Sequence, residues 1–198
     1  MAKKVVAVLG TYRKGGTLDR TVEAILEGAR ARRAATSTIY LVDKQIAFCN
    51  NCRQCTQDPG PERGPCRQHD DLDAILAEIE AADAVVLASP VNCGNATAIF
   101  RCFLERLMGY AYWPWGQPAP KPRSRIRTLN AALVATSAMP GFLIPLCTGT
   151  KRALRTAAHA LGAKPVASLW IGLSAKEPDQ APGPRVLARA RRIGLKLV

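Results

Sequence analysis

The chain has 198 residues, 48% of them hydrophobic, enough for one domain with a sizeable core and too apolar for a disordered chain. A formal net charge of +13 raises nucleic acid or anionic lipid as a partner. The cations are dispersed, however: Arg30, Arg32 and Arg33 close one helix, Arg123, Arg125 and Arg127 lie in a proline-rich loop, and Arg185 to Lys196 decorate the last helix. No aromatic stacking motif accompanies them, so nucleic-acid binding is disfavoured.

In chain order, four of the five residues of Val5–Leu9 are Val or Leu, which suits a strand buried on both faces of a parallel sheet. The loop GTYRKGGT follows. Gly10, Gly15 and Gly16 let the backbone turn tightly and bring N–H groups near a ligand, and Thr17 is expected to cap the next helix. Leu18, Val22, Ile25, Leu26 and Ala29 mark one helical face that ends near Arg33, and Thr36–Val42 reads as the second strand, giving a βαβ unit.

Asp43–His69 is irregular and carries four cysteines. Asp70 is expected to cap a helix with Leu72, Ile75, Leu76 and Ile79 inside, followed by a strand at Ala84–Ala88. Ser89–Thr97 (SPVNCGNAT) is a second polar loop, and Thr97 caps a helix carrying Ile99, Phe100, Phe103, Leu104, Leu107 and Met108. Gly109–Thr128, with Tyr110, Tyr112, Trp113, Trp115 and four prolines, is expected to hold no regular element. Its aromatics read either as a cover for a flat cofactor or a neighbouring subunit, or as a surface loop packed on its own domain.

Leu129–Ala135 returns to strand character and Thr136–Phe142 is a third loop. Leu146, Ala153, Leu154, Ala157, Ala158 and Leu161 predict a helix stopped by Gly162. Pro165–Ile171 is a fifth strand, Glu177–Pro184 a linker, and Val186, Leu187, Ala190, Ile193 and Leu197 the buried side of a last helix. No signal segment is expected before Val5. The longest weakly charged stretch, Leu129–Thr150, is interrupted by Asn130, Pro140, Gly141 and Pro145, so no membrane span is expected either. A cytoplasmic protein is therefore anticipated, and its seven cysteines read as thiols, metal ligands or redox groups.

Strand and helix alternate five times, which implies an α/β fold with a doubly wound parallel sheet and a ligand at the carboxyl ends of the strands. The loops after strands one, three and four share that edge. The first is an anion site by its chemistry, a helix N-terminus with Arg13 beside it, although a corner without a ligand would look similar. Its glycines miss the G-x-G-x-x-G spacing, and Gly16 stands where a P-loop needs lysine, so a terminal monophosphate suits it better than a dinucleotide or a triphosphate.

On these residues the chain resembles the NADPH-dependent FMN reductase and flavodoxin-like flavoprotein family, whose G-S/T-x-R-x-x-G/S-x-T type loop holds the FMN phosphate. Thr11, Arg13, Gly16, Thr17 and Leu18 occupy the matching positions. Asp70–Arg106 resembles the family's helix, strand and isoalloxazine loop. The resemblance implies that Pro90, Val91, Asn92, Cys93 and Gly94 line the flavin ring and that Ser137, Ala138, Met139 and Gly141 approach it. It also implies a five-stranded flavodoxin-like sheet of order 2-1-3-4-5. Asn92 replaces the family's usual tyrosine, so a stacked aromatic is expected from Tyr112, Trp113 or Trp115. No catalytic acid or base is identified, because flavin chemistry needs none from the protein.

Cys49, Cys52, Cys55 and Cys66 form C-x2-C-x2-C-x10-C. Three thiols at intervals of three, with a distant fourth, can hold a 4Fe-4S cluster. The pattern resembles the compact cysteine motif of iron-sulfur flavoproteins. Zinc, with His69 as a substitute ligand, and free thiols are the other two readings. Cys93, Cys102 and Cys147 read as small buried residues.

The expectation is thus a single domain over 1–198, with a cysteine-rich insertion at about 44–69 and an aromatic loop at about 109–128. It would be an FMN-dependent NAD(P)H oxidoreductase, or alternatively an FMN-binding carrier or regulatory module without turnover. Its partners would be a small-molecule electron acceptor or a redox protein, with no membrane, in a homodimer or homotetramer.

Overall fold

A computed structural model describes residues 2–123 and 129–198; Arg125 and Arg127 of the proline-rich loop lie outside the described residues. Five strands, β1 (Lys4–Leu9), β2 (Ala35–Tyr40), β3 (Ala84–Asn92), β4 (Leu129–Thr136) and β5 (Ala163–Ile171), form a parallel sheet of order β2-β1-β3-β4-β5. The long helices are α1 (Thr17–Arg30), α2 (Leu72–Glu80), α3 (Ala98–Glu105), α4 (Thr150–Ala160) and α5 (Pro184–Leu197). The doubly wound flavodoxin-like order expected from the sequence is therefore present. Among the described residues no helix is long and apolar enough to cross a membrane.

The pleat divides the core into two layers. Val6, Val8, Val85, Leu87 and Leu133 pack beneath α2, α3 and α4. Val5, Ala7, Val86 and Val134 pack beneath α1 and α5. All of Val5–Leu9 is fully buried, as a continuous apolar run in a central parallel strand requires. At the edge of the sheet β5 tolerates Pro165, where the pairing with β4 slips: Pro165 faces Ala131 but Ala167 faces Ala132, and the missing N–H falls in the bulge.

Several boundaries differ from the expected ones for local reasons. Helix α1 stops at Arg30 because Arg33 takes a left-handed backbone (φ 63°) and Ala34 N–H bonds back to Ala29 O, a glycine-type ending made without glycine. The second strand ends at Tyr40, and Leu41–Asp43 is a single 3-10 turn. Leu146 does not join α4. Thr148 is extended, which leaves Ile144–Cys147 as a separate turn with Leu146 exposed and Ile144 buried. The proline-rich loop does contain regular pairing: Ala111–Tyr112 lies antiparallel to Lys121–Pro122.

Helices α1 and α5 cross where glycine replaces a side chain on each. A methyl group on Gly194 would sit 1.9 Å from Ile25 O, and one on Gly28 2.1 Å from Arg191 O. Both obstacles are backbone and cannot swing aside. Gly194→Ala should therefore lose roughly 1–3 kcal/mol in urea unfolding, the usual range for overpacking; an unchanged midpoint would show that the helices do not meet here.

The end of β2 is pinned to α1 by Tyr40, whose hydroxyl donates to Asp19 Oδ1 at 2.7 Å. Burial, and after it this carboxylate, push the phenol up to about 12. A phenol in the unfolded chain ionises near 10, so the stability that Tyr40 adds is intact below about pH 10 and is lost as pH rises toward about 12. Tyr40→Phe should remove one proton from the pH slope of unfolding in that window; an unaltered slope would mean that the phenol titrates normally.

Candidate functional site

The loop between β1 and α1 is held from below and behind. Gly10 N–H bonds to Ala88 O, and Thr97 Oγ1 donates to Gly10 O at 2.6 Å while accepting from Phe100 N. A methyl group on Gly10 would lie 2.6 Å from Phe100 Cβ, so glycine is needed here for contact with α3. Thr11 Oγ1 accepts from Arg13 N and donates to Arg13 O, which closes the first turn. Gly15 has φ 73° with open space beside it, and its N–H donates to Asp19 Oδ2.

Thr17 is not the cap the sequence implied. Gly16 occupies that position with no side chain bonding the helix end, and Thr17 is the first residue of α1. Its hydroxyl instead donates to Gln180 O at 2.6 Å. Leu18, which stands at the last, threonine position of the family loop, is buried in the layer under α1, so it can offer a ligand its backbone only. The first turn of α1 thus retains N–H groups for an external acceptor.

A cavity of about 240 Å³ opens at this helix end. Thr11, Arg13, Gly16, Thr17 and Leu18 line it from the first loop, and Pro90 and Asn92 from the end of β3. Of the expected site residues, Val91, Cys93, Gly94, Ser137, Ala138, Met139 and Gly141 do not line it. Strand β3 runs on to Asn92 and turns through Cys93 (φ 46°) and Gly94 (φ 74°) to pair with Asn95–Ala96, so the second loop is a tight hairpin. Ser137 is tied to the cavity through Ser174, whose N–H and hydroxyl both bond Ser137 O. Gly141 serves packing: a methyl group there would be 2.6 Å from Trp170 O.

Five further residues line it that the sequence did not point to, Tyr12, Thr136, Ser174, Pro178 and Gln180. Tyr12 is the cavity's aromatic, its hydroxyl accepting from Ile99 N. Neither Trp113 nor Trp115 lines the cavity. They sandwich the Arg53 guanidinium at 3.8 and 4.1 Å, and Tyr112 belongs to the short antiparallel pair. The segment after β5 was read as a linker, yet it leaves the same carboxyl edge as the other three loops. A larger cavity, about 610 Å³, lies near the opposite edge, and the chain joining two of its lining residues, Arg123 and Leu129, lies outside the described residues.

The cysteine segment is folded back on itself. Burial, and then the neighbouring Cys66, Cys49 and Cys52, push the Cys55 thiol up, so Cys55 feels each of the other three motif cysteines. Among the described residues no three His, Cys, Asp or Glu side chains already form a group that could hold a metal ion. His69 is exposed. Cys102 is buried as expected and donates to Ile46 O and Ala47 O, whereas Cys93 and Cys147 are exposed, the first at a hairpin turn and the second beside the exposed Leu146. Asp70 bonds Leu72 N, but the helix-entry residue is Asp71. Partial burial favours a neutral Asp70, but Arg106 and the N–H groups of Ala47 and Leu72 outweigh it and hold the carboxyl below the usual range.

Two relatives are described as iron-sulfur flavoproteins. One, from Archaeoglobus fulgidus, is 32% identical over 111 residues, covering 56% of this chain and 48% of its own. The other, from Methanosarcina thermophila, is 30% identical over 103 residues, 52% of this chain and 51% of its own. The chain thus spans about half the length of these curated relatives. Among solved structures, an NAD(P)H:quinone oxidoreductase from Methanothermobacter marburgensis superposes over the whole of both chains with a TM-score of 0.68 at 16% identity. An azoreductase from Bacillus anthracis gives 0.72 at 14% identity over 98% of this chain and 99% of its own. At such identities these two likenesses establish the fold alone. The profile described as NADPH-dependent FMN reductase matches residues 3–176, nearly the full chain, and the protein belongs to that family.

Proposed function

We propose that the protein is an FMN-dependent oxidoreductase that draws electrons from NAD(P)H and passes them to a small acceptor or a redox protein. The observation that carries this reading is the cavity at the carboxyl edge, where one wall is the uncapped start of α1 and the others are the ends of β3 and β4 and the segment after β5. The residues fit a phosphate ester. Glycine at 15 and 16 leaves room for close approach, Arg13 supplies a positive charge, and the Thr17 hydroxyl would donate to the ester on releasing Gln180 O.

At about 240 Å³ the cavity is smaller than the roughly 300–1,000 Å³ of a pocket that encloses a whole ligand. It suits the phosphate end, with the ring lying toward Pro90–Asn92 and the 137–141 loop. Arg13 currently pairs with Asp179 at 2.9 Å, both side chains being exposed. Such a pair contributes about 0–1 kcal/mol, so a dianionic phosphate displaces it readily. Bound FMN supplies the hydride and single-electron chemistry. The chain's part is to anchor the phosphate through Arg13 and the first turn of α1, to hold that loop through Asp19 and Thr97, and to keep Tyr12 at the cavity wall.

The four-cysteine segment is read as the seat of a 4Fe-4S cluster. Support comes from its spacing, from the effect of the other three thiols on Cys55 and from the description of the two relatives as iron-sulfur flavoproteins. The side chains must draw closer to ligate it, since they do not yet form a metal-holding group among the described residues. A homodimer or homotetramer is part of the same reading, supported by exposed Phe142 and Leu146 just past β4.

Reconstitution should give about one FMN per chain, with bound flavin bleached on anaerobic mixing with NADPH or NADH. Binding without bleaching would leave a carrier rather than an enzyme, and no binding would sink the reading. Arg13→Ala should weaken FMN roughly 10- to 100-fold, the loss of a charged hydrogen bond, while leaving riboflavin, which lacks the phosphate, unchanged. Equal losses for both flavins would place Arg13 away from the phosphate.

A further inference from the structure

Arg106 has no part in the carboxyl-edge site, yet it is among the most deeply buried charges of the chain. Its side chain is 1% exposed. Nη1 donates to Ala47 O and to Asp70 Oδ2, both at 2.7 Å, and Nη2 reaches Asp70 Oδ1 at 3.3 Å and Cys66 Sγ at 3.5 Å. Nε is buried without a hydrogen-bond partner among the described residues. Burying a guanidinium is expensive unless it is well compensated, and among the described residues Asp70 is its one carboxylate partner.

The placement of these contacts gives the reason. Ala47 lies two residues before Cys49, Cys66 is the last cysteine of the motif, and Asp70 follows it by four. Asp70 Oδ2 also accepts from Ala47 N at 2.9 Å, so the pair bolts the entrance and the exit of the segment to one point on the turn after α3. Other arginines nearby have different work: Arg53 is stacked between Trp113 and Trp115, Arg63 pairs with Asp73 and Glu80, and Arg123 Nη2 bonds Cys55 O.

We propose that Arg106 is the positioning residue of the cysteine site, closing segment 47–70 with Asp70 and holding a fixed positive charge against Cys66 Sγ. The inference rests on the reading of the four cysteines as cluster ligands. A cluster held by these cysteines would become one unit more negative on taking up an electron, and an N–H aimed from the buried guanidinium at Cys66 Sγ would favour that state even with Asp70 paired to it. Arg106 would therefore raise the potential of such a centre and slow loss of its metal.

The test compares wild type with Arg106→Gln and Arg106→Lys after anaerobic reconstitution with iron and sulfide. The readouts are iron retention against a chelator and the midpoint potential in a dithionite titration followed by EPR. R106Q should hold iron roughly 10–100-fold more weakly, as for other outer-shell partners, and any remaining centre should titrate at a lower potential. R106K, which keeps the charge but not the fork, should lose retention while keeping the potential near wild type. Unchanged FMN binding at the start of α1 confirms that the variants are folded. Wild-type retention and potential in R106Q would overturn the proposal. If wild type itself takes up no iron, the cluster reading fails, and the positioning role is read in the reduced chain with a fluorophore that bridges two neighbouring thiols. Less bridging in R106Q than in wild type then supports it, and equal bridging overturns it.

Discussion

A helix that starts without a capping side chain leaves its first N–H groups in need of an acceptor. In this chain α1 starts that way at Gly16, directly after a strand whose residues Val5–Leu9 are fully buried. The burial fixes where the helix end can be, because β1 cannot shift register without exposing apolar residues on one face or the other. The glycines at 15 and 16 keep the helix end clear of side chains. Thr97 and Asp19 then hold the intervening loop, one from α3 and one from within α1. The anion site is therefore a consequence of the core, and the remaining loops of the carboxyl edge are arranged around it.

The alternation of strands and helices could be read from the sequence because its signals are periodic and strong: Val5–Leu9 is apolar throughout, and Leu72, Ile75, Leu76 and Ile79 repeat at helical spacing; the strand order came from the family resemblance. The first loop was legible for the same reason, since glycine spacing and Arg13 are local properties. What escaped was long-range. That Thr17 donates to Gln180 O, 163 residues away, has no signal in either segment. Tyr12 was passed over because its role depends on α3 lying beneath it. Trp113 and Trp115 looked like flavin cover by composition, but Arg53, left-handed at φ 58° inside the cysteine turn, projects between them. The Cys93–Gly94 hairpin was hidden because a cysteine with positive φ is not a usual turn signal.

The two sites use cations differently. At the carboxyl edge Arg13 is exposed and paired with an exposed Asp179, an arrangement that yields easily to an incoming anion. At the cysteine segment Arg106 is buried, forked and bonded to both ends of the loop, an arrangement that does not yield. The first suits a site that loads a ligand, and the second a site that must keep its shape. Much of the remaining positive charge, on α5 and at the end of α1, lies on helix surfaces and needs no ligand to explain it.

The central claim, that the open end of α1 holds the phosphate of FMN, is tested most directly by a crystal structure of the protein reconstituted with FMN. The account predicts the phosphate within hydrogen-bond distance of the backbone N–H groups that begin α1 and of the Arg13 guanidinium, with Asp179 displaced from Arg13. Flavin bound at another surface, or a phosphate lying away from Gly16–Leu18 with the Arg13–Asp179 pair intact, would contradict it.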